Sequence, residues 1–299
     1  MSSESFLTRK TIAIDIDEVL GAFLDCLCLH INTLGFESKA TISLETKDSI
    51  ASVSTTSSVS ITKIWKPEDF TSYHFNDAWN IDETIAHATM ARFFTSLHFE
   101  DIKPLKDAKE ILLKHQKQYR FVIVTSRNSN LGEQTNAWLN KHFEGCFDNV
   151  MFGSAYGPGV KRTKSEMCRE INAIMLVDDN PFYAVEAAPV LKTSILFGDY
   201  SWNRTSEITF PSNIIRVSSW SDLDKVFTNM TRSSNLLDKL DTIHLEIMKK
   251  LEDVNFEKAK RENLKDVELE INELRSALLL DISDNAITKV EEFLSMFSS

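Results

Sequence analysis

Two acidic residues, two positions apart, follow the first apolar segment of the chain. Residues 11–16 read Thr-Ile-Ala-Ile-Asp-Ile, a short β-branched run that predicts a buried parallel strand ending at Asp15 and Asp17. Side chains two residues apart on a strand point to the same side. One carboxylate could therefore attack a phosphorus atom while the other moves a proton, as phosphoryl transfer through a covalent intermediate requires.

Two further groups of polar residues follow apolar runs in the same way. Thr125, Ser126 and Arg127 come directly after Phe-Val-Ile-Val, where a hydroxyl can donate a hydrogen bond to a phosphate oxygen, and we predict that all three contact the substrate. Asp178 and Asp179 follow Ala-Ile-Met-Leu-Val, and adjacent carboxylates repel one another unless a cation lies between them. Oxygen ligands without His or Cys suit Mg²⁺, so the sequence predicts a magnesium site.

A lysine could neutralise these carboxylates. Lys164 precedes the strand that ends at Asp178, and its ammonium would hold the nucleophile and the phosphoryl group together as charge develops. Lys161 and Arg162 are competing candidates, and a surface lysine is the more frequent explanation for such a residue. The order of these groups, each near an apolar strand, indicates one shared site.

Alternating helices and strands would position these residues. Beyond residue 104 the patterns predict helices over 105–116, 131–143, 163–172 and 181–188, and strands over 120–125, 149–152, 173–177 and 194–197. Such alternation predicts an α/β fold with a parallel sheet and helices on both of its faces. Sheets of this kind bind ligands at the carboxyl ends of their strands.

The segment between the first two strands has a different composition. A helix is predicted over 20–35, and the Ser/Thr-rich residues 38–62 predict a flexible surface insertion, with a β-hairpin as the weaker alternative. Residues 67–99 predict two short amphipathic helices rich in aromatic side chains. Each of these aromatic residues is more simply explained by core packing than by contact with a ligand.

The C-terminal part of the chain, residues 230–299, carries only helical patterns. Its clearest stripe follows a heptad alternation at Leu264, Val267, Ile271, Leu274 and Leu278. We predict a helical appendage, either a short coiled coil or small bundle or a set of helices that packs on the main domain. An uncovered stripe over 264–278 would favour self-association or a protein partner.

Composition narrows the classes of partner. The net charge of −11 and the pI near 5.2 disfavour nucleic acid and anionic membranes as partners, but a metal ion could still hold a small phosphorylated substrate. No apolar run reaches the ~18 residues of a membrane span, and the first residues contain no signal-peptide pattern. The four cysteines lack metal-site spacing. A cytoplasmic location is expected, with the nucleus as the alternative.

Together these groups resemble the haloacid-dehalogenase (HAD) superfamily. The counterparts of its four motifs are Asp15-Ile16-Asp17, Thr125-Ser126, Lys164 and Asp178-Asp179. The chain resembles more narrowly the C-type 5′-nucleotidase, or 5′(3′)-deoxyribonucleotidase, branch. The segments that carry this narrower resemblance are Asp15 to Leu20, Pro104 to Ala108, Thr125-Ser126, Tyr200-Ser201-Trp202-Asn203 and Ser219-Trp220-Ser221-Asp222. The resemblance covers about residues 10–228.

The resemblance implies a HAD-like, Rossmannoid domain over residues 1–229, with a small helical cap inserted at about 22–103. It implies that Mg²⁺ binds Asp15, the backbone carbonyl of Asp17, and a carboxylate of Asp178 or Asp179. Asp15 would form an aspartyl-phosphate and Asp17 would act as acid and then as base. Thr125 and Lys164 would hold the phosphoryl oxygens.

The implied activity is Mg²⁺-dependent hydrolysis of a phosphomonoester, with a nucleoside monophosphate as one substrate class. The alternatives are a phosphatase for another small phosphate ester, and a HAD-like regulatory or interaction protein with little activity. Glu18 departs from the branch, which usually has Gly at this position. The insertion at 38–62 departs from it in the cap, the part that selects the substrate.

Overall fold

The computed structural model describes residues 9–34, 63–154, 160–204, 208–252, 258–280 and 283–296. The Ser/Thr-rich segment at 38–62 lies outside the described residues. The chain divides into two compact units, Met1–Trp220 and Ser221–Ser299.

The first unit is built on one parallel sheet of six strands in the order β3-β2-β1-β4-β5-β6. The strands are β1 (Lys10–Ile14), β2 (Tyr119–Thr125), β3 (Asn149–Phe152), β4 (Ala173–Asp178), β5 (Thr193–Phe197) and β6 (Ile214–Val217). The predicted parallel α/β sheet is confirmed. The sequence pattern did not predict β6, because this strand has only four residues and only Val217 among them is buried.

The order of the strands places β1 between β2 and β4. Ile14 pairs with Ile123 on one side and with Val177 on the other. The backbone N–H of Asp15 continues this ladder and donates to the carbonyl of Val177 at 3.0 Å. The residues that follow these three strands therefore meet at one edge of the sheet.

Four helices follow the strands of this unit: α5 (Ala108–His115), α6 (Gly132–Phe143), α7 (Lys164–Glu170) and α8 (Pro181–Ala187). Their apolar faces explain their positions, since Met167 and Cys168 of α7 and Ala187 of α8 share one buried cluster with strand residues such as Val122 and Leu176. All four cysteines are buried free thiols.

A helical insertion leaves the sheet and returns to it at one place. Gly21 forms a bridge with Pro104, and the N–H of Ala22 donates to the carbonyl of Lys103 at 2.9 Å. The described helices of the insertion are α1 (Phe23–Thr33), α2 (Phe75–Trp79), α3 (Glu83–Phe94) and α4 (Leu97–Glu100), with a 3-10 turn at Pro67–Asp69.

The aromatic-rich part of the insertion therefore contains more helices than the two predicted. The local sequence explains the breaks between them. Asn80 ends α2 in the left-handed region at φ 52°, and the Asp82 side chain then caps α3 by accepting from Thr84 N–H. Ser96 caps α4 in the same way by accepting from Phe99 N–H.

The second unit contains the rest of α9 (Trp220–Glu252), together with α10 (Lys258–Leu280) and α11 (Asp284–Ser295). The apolar stripes of these helices pack on one another, with Leu240, Ile271 and Val290 fully buried in one cluster. The stripe over 264–278 is thus covered within the unit, and the structure gives no support to a coiled coil. None of the described helices is both long enough and apolar enough to span a membrane.

Candidate active site

The ends of β1, β2 and β4 lie on one side of an open cleft of about 760 Å³. The polar residues on this side, here called the sheet wall, are Asp15, Asp17, Glu18, Thr125, Ser126, Arg127 and Asp179. The facing residues from the insertion, here called the aromatic wall, are Phe23, Phe70, Tyr73, Phe75 and Phe94. The structure therefore brings six of the eight predicted site residues to one cleft, with Lys164 and Asp178 directly behind them.

Lys164 is a buried cation directly behind the sheet wall. Its Nζ lies 3.0 Å from Asp15 Oδ2 and contacts Asp178 Oδ2, and the lysine is only 1% exposed. Burial opposes its charge, but the carboxylates of Asp15 and Asp178 outweigh that cost and raise the pKa of the lysine. The competing candidates lie elsewhere, because Lys161 is exposed and Arg162 pairs with Glu170.

The position of Lys164 follows from a local capping signal. It is the first residue of α7, and the Thr163 side chain accepts from the backbone N–H of Glu166 while the Glu166 carboxylate accepts from the N–H of Thr163. This reciprocal capping box fixes where the helix begins. It thereby fixes the point from which the lysine reaches the strand ends.

Three buried carboxylates surround this lysine. Asp15, Asp178 and Asp179 each offer an oxygen within 4.8 Å of the others. Burial raises the pKa of Asp15 and of Asp179, and raises that of Asp178 to about 7 against the opposing charge of Lys164. Asp15 Oδ1 has no hydrogen-bond partner among the described residues. One lysine is too little positive charge for this cluster, and its all-oxygen donors fit Mg²⁺.

The two adjacent aspartates have different surroundings. Asp178 contacts Lys164 through Oδ2 and accepts from Asn180 N–H at 3.0 Å through Oδ1. Asp179 lines the cleft and accepts from the indole N–H of Trp202 at 2.8 Å through Oδ2. Asp179 therefore faces the space where a cation and a substrate would lie, and Asp178 anchors the lysine.

Asp17 and Arg127 form an ion pair in the cleft. Arg127 donates from Nε to Asp17 Oδ2 at 3.0 Å and from Nη2 to Oδ1 at 2.6 Å. The guanidinium also donates from Nη1 to Thr135 Oγ1 at 3.2 Å and lies 4.9 Å from the centre of the Phe99 ring. The sequence predicted that both residues belong to the site, but it did not indicate that their side chains form an ion pair.

The two hydroxyl residues after β2 lie at the same edge. Thr125 Oγ1 accepts from Arg127 N–H at 3.2 Å, and Ser126 lines the cleft beside it. The Tyr183 ring centre lies 4.7 Å from Lys164 Nζ. Tyr183 lies in α8, and the sequence did not predict it to be near the site. Trp202 could have been predicted there, because it lies in one of the segments that carry the resemblance.

The backbone of Glu18 is left-handed, with a φ of 57°. Glycine is unstrained in this region, which explains why the resembled branch usually has glycine at this position. The Glu18 carboxylate accepts from Leu24 N–H at 2.7 Å near the start of α1. Burial raises the pKa of Glu18 to about 7. The extra carboxylate thus joins the sheet wall to the first helix of the insertion.

The aromatic wall is packed internally. The ring centres of Phe75 and Trp79 are 5.2 Å apart and nearly parallel, and those of Phe94 and Phe99 are 5.3 Å apart and edge-on. Phe23 meets Phe93 edge-on at 5.2 Å. These contacts support the expected core packing, while one edge or face of several rings also borders the cleft.

Solved structures similar to this chain are described as HAD-type hydrolases and phosphatases. A haloacid dehalogenase-like hydrolase from Streptococcus pneumoniae is 9% identical, with a TM-score of 0.46 over 74% of this chain and 99% of that one. A predicted phosphatase from Clostridium acetobutylicum is 16% identical, with a TM-score of 0.46 over 74% and 98%. A HAD-hydrolase from Bacillus subtilis bound to magnesium is 12% identical, with a TM-score of 0.43 over 73% and 98%.

No protein-family profile and no curated protein sequence matches the chain.

Proposed function

We propose that this protein is a Mg²⁺-dependent phosphomonoester hydrolase with Asp15 as its covalent nucleophile. The observation that carries the proposal is the asymmetry of the Asp15 carboxylate. Its Oδ2 is held 3.0 Å from Lys164, whereas its Oδ1 is buried and has no partner among the described residues. A buried oxygen without a partner is costly unless a ligand uses it. It is therefore the atom we assign to attack on phosphorus.

The metal would be held by Asp15, the backbone carbonyl of Asp17 and the Asp179 carboxylate, with Asp178 supporting Lys164 beside it. The exposure of Asp179 to the cleft supports choosing it over Asp178 as the direct ligand. When bound, Mg²⁺ would offset the repulsion between an anionic phosphate ester and Asp15. All four aspartates would thus contribute to one site.

The reaction would proceed in two displacements. Asp15 Oδ1 forms a bond to phosphorus as the ester P–O bond breaks, and Asp17 donates a proton to the departing alkoxide. Asp17 then accepts a proton from the water that attacks the aspartyl-phosphate, which releases inorganic phosphate and restores Asp15. Thr125, Ser126 and Lys164 would contact the phosphoryl oxygens while charge develops on them.

The aromatic wall favours a substrate with a flat, apolar part. Nucleoside monophosphates combine such a part with a phosphate, and the cleft places aromatic rings opposite the sheet wall. Stacking of a base on an aromatic side chain contributes ~1–3 kcal/mol. We therefore propose a nucleoside monophosphate as the substrate class.

The test is phosphate release from a panel of nucleoside monophosphates and sugar phosphates with Mg²⁺ present. Asp15→Asn keeps the shape of the side chain but removes the attacking charge, so turnover should fall by at least about a thousandfold. Asp25→Asn, an exposed carboxylate on α1, is the matched control and should remain active. Asp15→Asn activity near that of the wild type would refute the nucleophile.

A further inference from the structure

Asp17 is held in a way that conflicts with proton donation. Both of its carboxylate oxygens accept N–H groups of Arg127, at 2.6 and 3.0 Å. An acid must carry its proton on one of these oxygens and present it to the leaving group. The guanidinium uses one lone pair of each oxygen and fixes the direction of the carboxylate, so Asp17 is free to turn a proton toward a leaving group only when the guanidinium moves.

A phosphate group in the same cleft would be a second acceptor for the N–H groups of Arg127. Its side chain is only 4% exposed, whereas that of Asp17 is 29% exposed, and both residues line the cleft beside Asp15 and Thr125. The fork of a guanidinium matches a carboxylate and a phosphate equally well. A phosphoryl group entering beside Asp15 would therefore compete with Asp17 for Arg127.

We propose that the substrate phosphoryl group takes Arg127 from Asp17 and so releases Asp17 for proton transfer. The inference rests on the proposed function and adds a switch to it: one cation has two alternative anionic partners. Thr135 and Phe99 contact the guanidinium from outside the pair, and these contacts do not depend on which anion it binds. The binding of phosphate and the release of Asp17 from Arg127 would therefore occur together.

This switch has a consequence that can be measured without turnover. Phosphate must break the Asp17–Arg127 pair in order to bind, so the pair lowers the apparent affinity for phosphate. Weakening the pair from the Asp17 side should therefore strengthen phosphate binding. Removing Arg127 should abolish that gain.

The experiment is calorimetric titration of inorganic phosphate at pH 8 and fixed Mg²⁺. Asp17→Asn should tighten binding by at least about fivefold, the lower end of typical coupling between sites. Glu18→Gln is the matched control, because Glu18 is a buried carboxylate of the same cleft that binds Leu24 N–H, and at pH 8 it is above its pKa of about 7. It removes a similar charge without loosening Arg127, so it should tighten phosphate binding clearly less than Asp17→Asn does.

The double variant Asp17→Asn/Arg127→Met keeps the buried stem of the arginine and should bind phosphate no better than the wild type. Arg127→Lys, which keeps the charge but cannot form the fork, should also lose affinity, and it replaces the double variant if that variant does not fold.

Equal tightening in Asp17→Asn and Glu18→Gln would mean a general charge effect and would overturn the switch. So would an unchanged or weaker affinity in Asp17→Asn. If the wild type binds no phosphate, the proposed function fails together with the switch.

Discussion

The two walls of the cleft are built on different principles. The sheet wall consists of charged and hydroxyl side chains at the ends of β1, β2 and β4, where the ladder between strands fixes the backbone. The aromatic wall consists of rings from the insertion that pack on one another and on the aromatic rings behind them. One wall has charges that need specific partners, and the other has apolar surface that several ring arrangements could supply.

This difference separates chemistry from selection. A buried charge that loses its partner costs several kcal/mol, so the sheet wall tolerates little change. An aromatic side chain in a packed wall can be replaced by another apolar group at a lower cost. We expect substitutions of the sheet-wall aspartates to lower activity on every substrate, and substitutions in the aromatic wall to change which substrate is preferred.

The largest effect is expected for Lys164→Met. Asp15 and Asp178 would lose their buried cation, which should lower the free energy of unfolding by about 3–5 kcal/mol and remove nearly all activity. The loss of stability should be larger at pH 8 than at pH 5, since protonation removes the uncompensated charge. Melting curves at both pH values and an activity assay measure this. Lys161→Met, an exposed lysine, should behave like the wild type; a similar loss there would contradict the assignment.

A smaller and more selective effect is expected at the adjacent aspartates. Asp179→Asn should raise the Mg²⁺ concentration needed for half-maximal activity by roughly 10- to 100-fold, because Asp179 faces the cleft. Asp178→Asn should shift that concentration less but lower the melting temperature more, since it removes an anchor of Lys164. Mg²⁺ titrations and melting curves on both variants distinguish the two effects. The reverse pattern would identify Asp178 as the direct ligand.

The sheet wall could be predicted from the sequence because each of its groups follows an apolar strand. Strand ends meet at one edge of a parallel sheet, so residues as distant in sequence as Asp15 and Asp178 could be assigned to one site from the order of strands and helices. The strand that escaped prediction, β6, has mostly half-buried or exposed residues and so lacks the apolar signal. Predictions from sequence succeeded where burial forces a pattern.

The pairing of side chains could not be predicted in the same way. Nothing in the order of residues indicates that Arg127 meets both oxygens of Asp17, or that Tyr183 lies above Lys164. Such contacts depend on rotamers and on how the insertion closes over the sheet. The aromatic wall is equally hard to read from sequence, since its rings satisfy the expectation of a core and also border a cleft.

The aromatic wall should show its effect in substrate preference. Phe94→Leu should raise KM for a nucleoside monophosphate by about tenfold, which corresponds to the stacking of one base, and should leave KM for glycerol phosphate nearly unchanged. The ratio of kcat/KM for the two substrates is the measurement. Phe182→Leu, whose ring is 63% exposed and does not line the cleft, is the control. Equal losses on both substrates would mean that Phe94 supports the fold rather than selects the substrate.

The smallest effect concerns Glu18, which joins the two walls. Burial raises its pKa from 4.5 to about 7, so the folded protein keeps this proton to a higher pH than the unfolded chain does. The Glu18 carboxyl should therefore contribute a loss of stability as pH rises from about 4.5 to about 7, and no further loss above that range. Glu18→Gln keeps an acceptor for Leu24 N–H but cannot ionise, so it should lack this part of the decline, while the part that comes from the buried aspartates remains. The melting temperature of Glu18→Gln minus that of the wild type should be a few degrees larger at pH 8 than at pH 5. Melting curves in EDTA measure this without a contribution from metal binding, with Glu110→Gln, an exposed carboxylate on α5, as the control. A difference between Glu18→Gln and the wild type that does not change with pH would mean that the carboxylate is stabilised as an anion by its contact with α1.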